Sequence, residues 1–180
     1  MTARDLPMAA IFLAAYVGLD WLSFFHAWGA LGITPWNPSP ALGLVLLMRR
    51  GLGWAPLLFV AQLGAELLVR GLPAPWPATL GAALAVAAVY AGAAAVLRAR
   101  PIGPRVPDLL RLFVVAAGAA ALAGLAYVAV FTLAGLLPAG EFGQAALRYW
   151  IGDGSGSVGV VPLALAVPGR AERPAAWGEA

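Results

Sequence analysis

The sequence contains no cysteine and only one histidine, and charged residues make up 11% of its 180 positions. The missing cysteines exclude a disulfide framework, thiol catalysis and a cysteine-ligated metal site. Too few charged residues remain to cover a water-soluble globule, in which about a quarter of the residues are charged. Hydrophobic residues make up 62% of the chain. This composition predicts an integral membrane protein that is embedded in, and has as a partner, the lipid bilayer. It excludes a soluble enzyme, a disordered tail and a nucleic-acid binder.

Apolar runs divide the chain into six predicted transmembrane segments, each of which needs roughly 20 mostly apolar residues to cross a bilayer. The second run is short and follows a proline-rich stretch, so this span is expected to be broken. The predicted fold is all-α, a polytopic transmembrane bundle over residues 1–167, followed by a polar cytoplasmic tail or linker at 168–180. The six runs are Leu6 to about His26, Ala41–Met48, Trp54–Val69, Pro77–Leu97, Asp108–Leu137 and Gln144–Val167.

The arginines are distributed unequally between alternate loops. If the N-terminus is cytoplasmic, only Arg70 and Arg148 of the 11 basic residues fall on the outer side. Cytoplasmic loops of membrane proteins keep positive charge. The bias therefore predicts an even number of spans, with both termini in the cytoplasm.

Three acidic residues fall within the predicted spans and in the outer half of the bilayer. Ionisable groups at such depth cost roughly 2.5–3.5 kcal/mol each on insertion scales, and they usually face a protein interior or a water-filled cavity. Glu66 has an alternative explanation, an i,i+4 pair with Arg70 that reaches the outer interface. Asp20 lies beside Trp21 and could simply be hydrated there. Asp153 has no basic residue three or four positions away, so it is the strongest candidate for a functional acid.

The proline-rich stretch before the second span predicts irregular backbone inside the membrane. Ser39 is a good N-cap with Pro40 at the first helical position, which leaves Trp36–Pro38 outside the helix. Such backbone is tolerated at membrane depth only where protein or a water-filled cavity surrounds it, and the helix start could stabilise Asp153 or an anionic ligand. The alternative is a regular helix from Pro35 with a kink. The candidate ligand-binding residues, expected to line a pocket open toward the periplasmic half, are Asp20, Trp36, Asn37, Glu66 and Asp153.

Two short motifs imitate catalytic signatures. Gly154-x-Gly156-x-x-Gly159 matches the dinucleotide fingerprint, but that motif needs a preceding strand, and here it lies within an apolar span. Asp153-Gly154-Ser155-Gly156 resembles the serine motif of intramembrane proteases, but Asp153 replaces the motif's first glycine. A nucleophilic serine also needs a base within hydrogen-bond reach, and the only histidine, His26, lies at the outer end of the first span. We therefore expect no catalytic residue, metal or cofactor in this chain.

Small residues recur at four-residue spacing in the later spans, and such pairs let helix backbones approach closely in a membrane. In alanine-rich helices they arise easily. Packing within one bundle is the simpler explanation, and a homodimer face is the alternative. The pairs are Gly81/Ala85, Ala88/Gly92, Ala120/Gly124 and Gly152/Gly156.

Motifs spread over nearly the whole chain resemble the membrane-associated sensor (MASE) family, type one. The segment Pro35–Leu44 looks like the family's Trp-Pro-Pro-Ala-Gly-type stretch, and Leu63–Leu68 resembles its Gly-Ala-x-x-Ala-Asn-Leu-type helix. Pro107–Leu112 is similar to its Asp-x-x-Arg-Phe stretch. The closing Trp-x-x-Asp-x-x-Gly-x-x-x-x-Pro-Leu motif is matched by Trp150–Asp153 and Gly159–Leu163.

The resemblance implies a sensory input module of bacterial histidine kinases or diguanylate cyclases, multi-pass in the inner membrane. Such a module passes a signal from an unidentified small ligand or a proton to a cytoplasmic output domain or partner protein. A small solute transporter or channel with a polar outer-half pocket is the alternative, because broken helices and mid-membrane acids also occur in transporters. A structural scaffold for another membrane subunit is the third interpretation.

Overall fold

The computed structural model describes residues 5–25, 27–29, 31–72, 74–100, 102–103 and 105–166. These residues form six α helices and no β strand apart from one isolated bridge between Trp28 and Ile33. The predicted all-α class is therefore confirmed. The predicted tail at 168–180 lies outside the described residues. The helices are α1 Leu6–Ser23, α2 Ser39–Arg50, α3 Ala55–Leu68, α4 Trp76–Arg98, α5 Val106–Leu133 and α6 Phe142–Ala166.

Three of the helices, α1, α4 and α5, are long and apolar enough to cross a membrane. The apolar stretch Leu52–Leu68, which contains α3, is shorter, and α2 has only 12 residues, about 18 Å of helix. Helix α6 has 25 residues but a polar middle at 152–157. The membrane character of the chain thus depends on α1, α4 and α5, and the six-span topology stays a prediction.

Proline and glycine set most of the helix boundaries. Each of α1 to α5 carries a proline in its first turn, where the missing N–H group has no intrahelical partner to lose. Helix α1 ends at Ser23, whereas the predicted end at His26 falls outside the described residues. The predicted end of the fifth span at Leu137 is wrong, because Gly135 adopts a φ of +72° and the helix ends at Leu133.

The proline-rich segment before α2 is irregular, as predicted, and the alternative of a regular helix from Pro35 is wrong. Helix α2 begins at Ser39, and its side chain is not the N-cap. The Ser39 hydroxyl instead donates to the Tyr16 carbonyl of α1 at 3.0 Å. The Asn37 amide oxygen accepts the Ser39 N–H at 3.3 Å. Asn37, rather than Ser39, supplies the side-chain acceptor at this helix start.

Helix α6 lies directly against this irregular segment. The Asn37 N–H donates to the Gly152 carbonyl at 2.9 Å, so the segment is bonded to the helix backbone. A Cβ added at Gly152 or Gly156 would overlap the carbonyl oxygens of Thr34 or Asn37, respectively. For this glycine pair, packing within one bundle is therefore confirmed.

Apart from Arg70, the arginines with described contacts lie toward the two ends of the bundle. Arg98 at the end of α4 donates to the Met48 carbonyl at the end of α2 at 2.5 Å, and Arg111 of α5 donates to the Arg100 carbonyl. At the other end, the Arg148 guanidinium lies 4.4 Å from the centre of the Trp28 ring. The described arginines that the charge bias assigns to the cytoplasm thus share one end.

Because the chain has no cysteine, single introduced cysteines can test the orientation. Gly53 lies between α2 and α3 and Gly140 lies before α6, both exposed and both without an atom within 4 Å of an added Cβ. In intact cells, a membrane-impermeant maleimide should label Gly140→Cys and should leave Gly53→Cys unlabelled until the membrane is permeabilised. Labelling of both variants in intact cells would contradict the predicted topology.

Candidate functional site

Three carboxyl groups and one guanidinium are buried inside the bundle. The exposed fractions of Asp20, Glu66 and Asp153 are 2%, 1% and 2%. They come from α1, α3 and α6, and the side chain of Arg70, just beyond α3, is 8% exposed. Ionisable groups in an apolar interior need ion-pair or hydrogen-bond partners. The partners of each group therefore determine the geometry of this cluster.

Asp20 and Arg70 form a close ion pair inside the cluster. The two guanidinium nitrogens of Arg70 lie 2.9 and 3.1 Å from the two carboxyl oxygens of Asp20, the paired geometry that arginine and carboxylate favour. The alternative that Asp20 is simply hydrated at the interface is therefore wrong, because the residue is buried and paired. The pair of Arg70 with Glu66, considered as the alternative explanation of Glu66, is only a weak contact, at 3.9 Å. The chain turns back after α3, where the Leu72 N–H bonds the Glu66 carbonyl at 2.8 Å.

One oxygen of Glu66 collects all the hydrogen bonds that its side chain receives. The Tyr127 hydroxyl donates to Oε1 at 3.0 Å, and the Gln62 amide donates to the same atom at 3.4 Å. Gln62 is in turn held by the Tyr16 hydroxyl at 2.7 Å. The second oxygen, Oε2, is buried and has no hydrogen-bond partner within the described part of the chain.

Asp153 has a donor on each carboxyl oxygen. The Asn37 side-chain amide donates to Oδ1 at 2.9 Å, and the Tyr90 hydroxyl donates to Oδ2 at 3.0 Å. Since the other end of the Asn37 amide accepts the first N–H group of α2, Asn37 stands between that helix start and Asp153. Asn37 and Asp153 were predicted to line one pocket, and the structure brings them into direct contact.

All four tyrosines of the chain lie buried around these acids, and none was predicted as a site residue. Tyr149 packs against Tyr127 in a tilted arrangement with ring centres 5.0 Å apart. The hydroxyls of Tyr16 and Tyr90 donate to Gln62 and Asp153, respectively. A signal was present in the sequence, because each tyrosine falls within a helical run, where a buried hydroxyl needs a polar partner. Arg70 and Gln62 also belong to the cluster, although Arg70 was considered only as a partner of Glu66.

A small cavity of about 10 Å³ lies at the centre of the cluster. This volume is close to the ~10–15 Å³ that one water molecule needs, so the site as it stands has no room for an organic ligand. Among the predicted site residues, Trp36 is 39% exposed and does not line the cavity. Asp20 reaches the lining through Arg70. The polar residues of the lining include Asn37, Gln62, Glu66, Arg70, Tyr127 and Asp153.

The chemistry available here is hydrogen bonding and proton exchange. Within the described ranges, no group of three histidine, cysteine, aspartate or glutamate side chains is placed to hold a metal ion. The Ser155 hydroxyl, part of the protease-like motif, donates to the Gly152 carbonyl of its own helix at 3.0 Å. The dinucleotide-like glycines lie inside α6 and not in a strand-to-helix turn.

Comparison of the chain with protein-family models, with curated proteins and with solved structures found no match.

The ion pair of Asp20 with Arg70 gives a stability prediction. Arg70→Gln should destabilise the fold by about 3–5 kcal/mol, because it leaves a buried carboxylate without its cation. Adding Asp20→Asn should recover part of that loss, with a coupling energy of roughly 0.5–3 kcal/mol. The free energy of unfolding in a detergent titration measures both quantities. The matched control is Arg148→Gln, where an exposed arginine on Trp28 should cost about 1 kcal/mol or less, and strict additivity of the two site mutations would contradict the pairing.

The close approach of α6 to the irregular segment gives a second stability prediction. Gly156→Ala should destabilise the fold by about 1–3 kcal/mol, because the added methyl group meets backbone that cannot rotate away. Gly159→Ala, one turn on and with no neighbour within 4 Å, should be neutral or stabilising by up to about 1 kcal/mol. The same unfolding titration compares them, and equal stability of the two variants would contradict the described packing.

Proposed function

We propose that the chain is a membrane-embedded signal-input module of the membrane-associated sensor (MASE) type. In this proposal it lies in the bacterial inner membrane with six spans and both termini in the cytoplasm. The buried polar cluster responds to a small polar species or a proton from the outer side, and α6 passes the response to a cytoplasmic output domain or partner protein. The observation that carries the proposal is the hydrogen bond between Asn37 and Asp153.

This hydrogen bond supports the proposal because it joins two of the segments on which the family resemblance is based. Asn37 belongs to the segment Pro35–Leu44, and Asp153 closes the segment Trp150–Asp153. The third segment, Leu63–Leu68, contributes Glu66 to the same cavity. Three motifs that are far apart in the sequence thus meet at one buried site, as expected if they serve a shared function.

Helix α6 is suited to carry a change away from the site. It holds Asp153 near its middle and continues to Ala166, and it is the last helix of the described chain. Its interior contains four glycines at 152, 154, 156 and 159 and a proline, Pro162, residues that lower the stability of a regular helix. A signal also requires two states with different affinities for the stimulus. In this proposal the two states differ in whether the contact between Asn37 and Asp153 is made.

A small solute transporter or channel is the second candidate, since the irregular backbone at the site is a feature of transporter binding sites. The cavity is too small for a solute and holds one water-sized species at most. Uptake of a radiolabelled solute by liposomes that contain the purified chain would favour transport over signal input.

Signal input predicts that Asp153 controls the output. We expect Asp153→Asn, in the full chain joined in frame to a diguanylate cyclase domain, to change cyclic dinucleotide synthesis at least several-fold and to abolish its response to the stimulus. The substitution removes the negative charge and keeps the shape, so membrane insertion should be unchanged. The control is Glu141→Gln, which neutralises an exposed acid outside the site and should leave synthesis as in the parent. Equal synthesis and response in all three proteins would contradict the proposal.

A further inference from the structure

The Glu66 carboxyl group combines a buried oxygen that lacks a hydrogen-bond partner among the described residues with a place in the lining of the central cavity. Its Oε1 atom accepts hydrogen bonds from Tyr127 and Gln62. Oε2 is buried and has no partner in the part of the chain that the structure describes, and the residue is 1% exposed. Leaving a buried polar atom unsatisfied costs roughly 1–3 kcal/mol, and more for a charged group. Glu66 lines the cavity, so this atom requires either a proton of its own or a partner held in that space.

The charges of the cluster do not balance within the described residues. Asp20 occupies Arg70 through two short contacts, and the guanidinium lies 3.9 Å from Glu66. With every group ionised, three carboxylates would face one guanidinium, which leaves two uncompensated negative charges. A buried charge without a partner costs several kcal/mol, so the cluster has reason to take up positive charge.

The size of the cavity and the hydrogen-bond donors around it indicate whether the positive charge is a proton or a metal cation. The volume of about 10 Å³ admits one water-sized species. The side-chain groups that reach Glu66 and Asp153 from Tyr127, Gln62, Asn37 and Tyr90 all act as hydrogen-bond donors. A metal cation needs several oxygen lone pairs aimed at it, whereas a proton on a carboxyl oxygen needs only a free oxygen. The arrangement fits a proton better than a metal cation.

The two buried acids outside the ion pair, Asp153 and Glu66, differ in how many of their carboxyl oxygens have a hydrogen-bond donor. Both oxygens of Asp153 accept a hydrogen bond, from Asn37 and Tyr90, so neither oxygen is left without a partner. Glu66 has donors on one oxygen only, which suits a protonated acid whose O–H group points into the cavity. The titratable and charged groups that surround the two acids from α1, α4, α5, α6 and the end of α3 are Tyr16, Asp20, Tyr90, Tyr127, Tyr149 and Arg70.

We propose that Glu66 Oε2 is a proton-binding site that opens onto a single water molecule in the cavity. Loading breaks an O–H bond of a protonated water and forms the O–H bond of Glu66, and the released water stays as its hydrogen-bond partner. The inference rests on the proposed function in one respect, because it names the stimulus of that site as a proton. Its chemistry can be tested without any output domain.

Difference infrared spectroscopy of the full chain in lipid nanodiscs tests the site by lowering the pH in steps. The parent protein should show a carboxylic-acid C=O band that appears as Glu66 takes up its proton. Glu66→Gln should lack this band, and Asp153→Asn should keep it. The matched control Glu141→Gln, which removes an exposed acid, should also keep it.

A further variant keeps the test decisive if Glu66→Gln does not fold. Tyr127→Phe removes one donor from Oε1, the atom that becomes the carbonyl oxygen of the protonated acid. The band should therefore persist and move to higher frequency. An unchanged band in Tyr127→Phe, a band that survives in Glu66→Gln, or its loss in Asp153→Asn alone would overturn the assignment to Glu66.

Salt substitution separates a proton from a metal cation. At constant pH, replacing sodium with choline should leave the band unchanged, and a band that follows sodium would overturn the proposal. The two proposals fail separately. A proton band on Glu66 without a pH-dependent output in the cyclase fusion would refute signal input alone, whereas an output that responds without this band would refute the proton site alone.

Discussion

The constraint on which this structure depends is the excess of carboxyl groups over cations in the interior of an apolar bundle. Apart from the Asp20–Arg70 pair, the two other acids of the cluster have hydrogen-bond donors in place of a paired cation, two on Asp153 and two on one oxygen of Glu66. Gln62 lies on the same helix as Glu66, but the other three donors, from Asn37, Tyr90 and Tyr127, belong to elements other than that of the acid they bond. The cluster therefore fixes the relative positions of α1, α3, α4, α5 and α6, which the weak association of apolar surfaces in lipid would leave poorly specified.

The irregular segment before α2 and the glycines of α6 depend on each other for close packing. Prolines keep the segment out of a helix, and its carbonyl oxygens at Thr34 and Asn37 then lie against the backbone of α6. Only glycine at 152 and 156 leaves room for that approach, and it brings the Asn37 amide within reach of Asp153. Irregular backbone inside an apolar bundle is stable where protein surrounds it, and here the surrounding protein is the helix that the segment helps to position.

Much of the fold could be predicted from the sequence, because apolar runs and prolines are local signals. The helix starts and the irregular segment were found in this way, as was the placement of Asn37 with Asp153. The partner of Asp20 could not be predicted, because Arg70 lies 50 positions away in the sequence. Hydropathy indicates how deep a residue lies along its own helix, but it does not indicate which helix packs beside that residue. Trp36 was placed in the pocket on its neighbours in the sequence, but the course of the irregular segment leaves its side chain half-exposed. The start of α2 was expected to stabilise Asp153, but the two are linked only through the Asn37 side chain, which bonds both.

The placement of the tyrosines has a practical consequence for spectroscopy. The chain has seven tryptophans spread along its length and only four tyrosines, and all four lie around the buried acids. Each tyrosine ring is therefore a local reporter of the same few side chains. Ring-deuterated tyrosine, incorporated biosynthetically, would give vibrational bands that originate at this one place in the molecule, without any mutation and without an attached dye.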